Sequence, residues 1–73
     1  MNLLFAMTLV RGGHVRSFRI GREPGDRAWE IFEEFDQRVL QRHSHDDWHR
    51  VERARERFSQ EISQLRHDGW QDA

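Results

Sequence analysis

Gly12-Gly13 stands between two strand-length segments, and no other feature of this 73-residue chain restricts its folding as much. Both glycines reach positive φ without strain, which the two-residue turn of an antiparallel hairpin demands. With these two as the loop, Arg11 pairs with His14, Val10 with Val15, Leu9 with Arg16, Met7 with Phe18 and Phe5 with Ile20. Directly paired residues share a face of the ribbon. One face then holds Phe5, Met7, Leu9, Phe18 and Ile20, with Arg16 near its turn end. The other holds Leu4, Ala6, Thr8, Val10, Val15, Ser17 and Arg19. The first face belongs against a core.

Beyond the hairpin, Gly21-Arg22-Glu23-Pro24-Gly25 breaks the pattern, and Asp26 is placed to cap a helix. Ala28, Phe32, Phe35 and Val39, with Ile31 beside them, recur at helical spacing and predict an amphipathic helix over 26–43. Ser44 then resembles an N-cap, with Asp47 three residues on in the position of a capping-box acid. A second helix is expected over 45–67, with Gly69 available to stop it. Its seam is Trp48, Val51, Phe58, Ile62 and Leu65, and Arg55 falls within that seam. The expected architecture is therefore α+β in the order ββαα. An N-terminal β-hairpin (3–22) packs on an antiparallel two-helix hairpin, in a single small domain spanning 1–73.

A chain this short sits near the size at which one core is only just sufficient. Three Trp and five Phe supply much burial per residue and argue for a folded chain. There is no cysteine, so neither a disulfide framework nor a thiolate site contributes. The apolar run Leu3–Val10 lacks the preceding basic residues of a secretory signal. It also falls far short of the about 20 apolar residues a membrane helix needs. The expectation is a strand in a cytoplasmic protein.

Charge is distributed unevenly. Residues 1–22 carry four arginines and no acid, whereas residues 23–73 carry eight arginines and all 13 acids, for a net charge of −1. The basic residues are all arginine, whose planar fork grips phosphate or carboxylate bidentately. A two-stranded ribbon also has two edges, and an uncovered edge invites strand addition by a partner. The expected partner-binding residues are Leu4, Thr8, Val10, Arg11, His14, Arg16, Arg19 and Arg22. They fit a protein partner, or alternatively RNA or DNA directly. No RNP motif, GXXG loop or zinc-finger spacing is present.

His43, His45, Asp46, Asp47 and His49 cluster between the expected helices, with His45 and His49 at i, i+4. A solvated turn accounts for them better than a metal site, because acids are favoured in a first helical turn. Nothing resembles a catalytic set. Tyr and Cys are absent, no phosphate-cradling glycine loop occurs, and Gly12-Gly13 reads as a turn. The expectation is a non-catalytic protein without a cofactor.

A chain of this length that begins MNLLFAMTLVRGGHVRSFRIGR, with two amphipathic helices expected after it, resembles the small phage-encoded regulators that bind bacterial RNA polymerase, inhibiting initiation and acting as antiterminators. The resemblance covers length and general layout. It implies a non-catalytic regulator that binds core polymerase subunits, disfavours sigma-containing complexes and helps the elongating enzyme pass terminators near the RNA exit channel. A Nus-type elongation factor would assist, and nucleic acid would lie within reach in the complex. No contact residue is implied by the resemblance itself.

Overall fold

The computed structural model describes all 73 residues. Five strands and one helix follow in the order β1 (Asn2–Arg11), β2 (His14–Arg22), β3 (Trp29–Phe35), β4 (Arg38–His45), α1 (Trp48–His67) and β5 (Gln71–Asp72). The strands form one antiparallel sheet in the order β4-β3-β2-β1-β5. The helix covers one face of the sheet and leaves the other open, as antiparallel sheets allow.

The first hairpin has the register expected from Gly12-Gly13, from Arg11 opposite His14 to Phe5 opposite Ile20. Both turn glycines have positive φ, 55° and 82°. An irregularity between Leu3 and Phe5 releases Leu4 from the ladder, so Leu4 packs against the core instead of joining the outer face.

Residues 26–43 do not form a helix. The ββαα architecture is replaced by a second β-hairpin, β3–β4, and the helical pair by a single helix. The reasons begin at Glu23-Pro24-Gly25-Asp26, a type II turn with Gly25 at φ 88°. The Asp26 amide donates to the Glu23 carbonyl at 3.1 Å, so Asp26 closes a turn rather than capping a helix. A lone two-stranded hairpin is marginal in water, and β3 supplies the third strand by pairing from Arg16–Phe35 to Gly21–Glu30. Read at period two, Trp29, Ile31, Glu33 and Phe35 lie on the helix-covered face, and Glu30, Phe32 and Glu34 on the open one. The helical period fits Ile31, Phe32 and Phe35, whereas the strand period fits Ile31 and Phe35 alone; pairing with β2 decides between them.

The β3–β4 turn, Asp36-Gln37, has two residues with positive φ, 47° and 68°, and no glycine. Its conformation is held by the first hairpin. The Asp36 amide donates to the Val15 carbonyl at 2.8 Å, and its carboxylate accepts from the Val15 amide at 2.8 Å. His14 Nδ1 lies 2.6 Å from the same carboxylate. In β4, Gln41 opposes Glu33 but Val39 opposes Glu34, so Leu40 is an extra, bulged residue.

Asp47, not Ser44, caps α1, its side chain accepting from the His49 amide at 3.0 Å; Ser44 lies in β4. The buried stripe is Val51, Ala54, Phe58 and Ile62, with Leu65 half-buried beside it. Ala54 occupies the place the seam assigned to Arg55, which is exposed. The helix ends at Gly69, φ 99°, in a Schellman motif. The Trp70 amide donates to the Leu65 carbonyl and the Gly69 amide to that of Arg66. The reversal delivers β5 onto the β1 edge, opposite Leu9 and Val10.

Leu9, Phe18, Ile20 and Ile31 from the sheet meet the helix stripe to form the core. Phe58 anchors it, edge-on to Phe18 at 5.1 Å and tilted against Phe5 at 6.1 Å. Burying each such large apolar side chain contributes about 1.5–3 kcal/mol. No helix is long and apolar enough to cross a membrane.

Candidate functional site

The eight residues expected to bind a partner do not form one surface. Leu4 is a core-edge residue, Thr8 is exposed and 3.4 Å from the Ser17 hydroxyl, and Val10 is half-buried and pairs with Gln71 of β5. Arg11 is exposed and lies against Gly69, and His14 is tied to Asp36. Arg16 sits on the helix side of the sheet, its side chain only 16% exposed. It donates to the buried Glu33 carboxylate and, at 2.6 Å, to that of Glu61, while its guanidinium lies over the Phe18 and Phe35 rings. Gln41 donates to the other Glu33 oxygen at 2.6 Å, completing a polar cluster inside an otherwise apolar layer.

Arg19 and Arg22 are also taken up within the fold. On the open face, Arg19 from β2 and Arg42 from β4 cover the Phe32 ring, at 4.6 and 5.0 Å from its centroid. Phe32 is thereby reduced to 6% exposure although no helix covers that face. Arg22 lies 4.5 Å from the Trp29 ring centroid. Each such cation–π contact contributes about 0.5–1 kcal/mol at an exposed site. The acid-free stretch of the sequence is thus mostly consumed in holding the sheet together.

Two basic features remain, and both lie outside the hairpin. The first is β4. The sheet order leaves its outer edge unpaired, whereas β5 covers part of the β1 edge. It carries Arg38, Arg42, His43 and His45 and no acid, and Val39 and Leu40 beside the bulge are 51% and 54% exposed. The second is a groove of about 420 Å³ between the end of β4 and α1, lined by His45, Arg50, Arg53, Glu56, Arg57 and Gln60. None of Arg38, Arg42, Arg50, Arg53 and Arg57 has a carboxylate oxygen within 4.0 Å. Arg50, Arg53 and Arg57 recur at i, i+3 and i+7, a signal present in the sequence but less conspicuous than a stretch with no acids.

The histidine cluster is divided by the fold. His43 and His45 belong to β4, with their rings stacked 6.2 Å apart, and His49 belongs to the first turn of α1. His45 and His49 therefore do not share a helix face, and no three His, Asp or Glu side chains converge as metal ligands would.

No protein-family model, curated protein or solved structure matches the chain.

Proposed function

We propose that this chain is a non-catalytic regulator that binds a protein partner along the free edge of β4. In line with the resemblance of its length and N-terminal segment to phage regulators, the partner is the core of bacterial RNA polymerase in the host cytoplasm. Binding would block initiation and promote terminator read-through, with a Nus-type elongation factor assisting. The observation that carries the reading is the unpaired, basic β4 edge. The bulge at Leu40 blunts its first part, and Gln41–His45 remains as a regular strand able to accept an extended segment. Arg38, whose charge is felt by Asp36, and Arg42, which lies over the Phe32 ring, have no carboxylate oxygen within 4.0 Å. They disfavour pairing between two copies and favour an acidic strand.

Direct binding of RNA or DNA through the hairpin has less support, because Arg16, Arg19 and Arg22 are engaged with Glu33, Glu61, Phe32 and Trp29. The test is capture of polymerase core subunits on the tagged protein, compared with the R38E/R42E variant, whose fold is checked by circular dichroism because Arg42 covers Phe32. Capture by the parent and its loss in the variant is the expected result. Equal capture by both removes β4 from the mechanism, and no capture by the parent removes polymerase.

A further inference from the structure

We propose that the groove between α1 and the end of β4 binds the phosphodiester backbone of a nucleic acid through Arg50, Arg53 and Arg57, without reading base sequence. The inference concerns a surface that shares only His45 with the β4 edge and does not rest on the polymerase reading.

The first support is the spacing. Three guanidiniums at i, i+3 and i+7 fall along one face of the helix and span about 10 Å of its axis, at 1.5 Å per residue. They are strung out along an open groove rather than converging on a point, so a compact anion would reach only part of the set. A strand of nucleic acid presents a phosphate with every nucleotide and can meet all three.

Local energetics add a second support. Arg50 stands in the first helical turn, which contains no acidic side chain. A cation there opposes the positive end of the helix dipole, and Arg53 with Arg57 makes a like-charge i, i+4 pair. Glu56, the one acid in the lining, does not approach any of the three within 4.0 Å. The three guanidiniums, none with a carboxylate oxygen within 4.0 Å, gain counter-charges when a polyanion lies in the groove.

The lining indicates which polyanion. His45, Glu56 and Gln60 complete it, and it contains no apolar side chain. Protein interfaces bury an apolar centre, which this groove cannot supply. Bases of single strands stack mainly on Phe, Tyr and Trp, none of which lines the groove, and His45 is the one ring in it. What the groove offers is charge and forked N–H donors, the equipment for phosphate contacts that position a chain without specifying its sequence.

The experiment measures fluorescence anisotropy of the full chain alone with a mixed-sequence single-stranded RNA and a duplex DNA, across roughly 50–200 mM salt. Three phosphate contacts predict a slope of log K against log salt of about −2 to −3, the same for unrelated sequences. The R53E/R57E variant is expected to bind at least about tenfold more weakly with a flatter slope. Both positions are exposed, and circular dichroism with thermal unfolding checks that the variant folds; R53Q/R57Q serves if it does not. R55E, an exposed arginine of the same helix outside the groove, controls for general charge and keeps affinity within about threefold. Equal binding by the parent and the folded groove variant overturns the proposal. So does binding of a polyglutamate chain while RNA and DNA fail to bind. Because polymerase is absent, neither result bears on the β4 edge.

Discussion

The Arg16 guanidinium donates to the Glu33 carboxylate across paired strands, on the side of the sheet that the helix buries. Glu33 is 4% exposed at its side chain, so its charge is tolerable only because Arg16 and Gln41 satisfy it. Removing one partner of a buried pair leaves an uncompensated charge and costs about 3–5 kcal/mol. At roughly 0.05–0.15 kcal/mol per residue, a domain of this length holds about 4–11 kcal/mol, so the loss is a large share of it. Arg16→Met is therefore expected to lower the stability in urea by about 3–5 kcal/mol. The R16M/E33M double variant removes both charges together with the Arg16 Nε, which is buried without an acceptor. Urea denaturation should place it within about 1 kcal/mol of the parent. A double variant as unstable as Arg16→Met alone would show that the pair is not what makes the single change costly.

Glu61 is the outer carboxylate of this cluster and predicts a dependence on pH. Burial, and then the neighbouring Glu33 charge, raise its pKa above the ordinary value of 4.5, outweighing the attraction of Arg16. The folded state thus keeps a proton at pH values where the unfolded chain has released it. Stability from this group is present below the unfolded value and is lost as pH rises through the folded one. Acidification from neutral pH towards 4.5 is expected to stabilise the parent relative to Glu61→Gln. At neutral pH the two should lie within about 1 kcal/mol, since Glu61 is partly solvated. Parallel thermal melts at several pH values give the difference, and a difference that does not vary with pH contradicts the assignment.

Asp36 predicts the opposite trend at lower pH. The hydrogen bond from His14 and then that from the Val15 amide hold its pKa below the ordinary value of 3.8. Its contribution is complete above that value and declines as pH falls through the lower, folded one. Acid unfolding of Asp36→Asn should accordingly begin from a less stable state and show a shallower loss of stability below pH 3.8 than the parent. The measurement is the melting temperature of both proteins through the acid limb. Identical limbs would mean that the two hairpin turns are not coupled through this carboxylate.

The first hairpin was legible because its information is local: a Gly-Gly turn between segments that alternate. The second was not, because β3 carries a phenylalanine and a glutamate on the faces opposite to those their polarity suggests. Phe32 lies on the open face and is tolerated there because Arg19 and Arg42 cover it. Glu33 lies on the core face and is tolerated because Arg16, seventeen residues earlier, meets it. Exchanging those two roles destroys the two-residue period and leaves Ala28, Phe32, Phe35 and Val39 looking helical. The same tertiary pairing uses up the hairpin arginines, which shifts the candidate surfaces to β4 and α1. The β4 edge could not be read at all without knowing that β4 is a strand.

The Asp36-Gln37 turn, the other signal missing from the sequence, leads to a stabilising change. Gln37 has φ 68°, in the left-handed region where a side chain collides with its own backbone, at roughly 1–2 kcal/mol for an L-residue. Glycine adopts this conformation freely but also gains entropy in the unfolded chain, which offsets part of the relief. Asp36, at φ 47°, is better left alone, because its carboxylate serves His14 and Val15. Gln37 is exposed and its side chain makes no hydrogen bond in the fold. Gln37→Gly is therefore expected to stabilise the protein by about 0.5–1 kcal/mol, equivalent to roughly 2–8 °C in melting temperature for a domain of this size. Gln37→Val tests the same argument from the other side, since a β-branched residue tolerates positive φ least, and it should melt below the parent. If glycine lowers the melting temperature or valine leaves it unchanged, the turn does not adopt positive φ at Gln37.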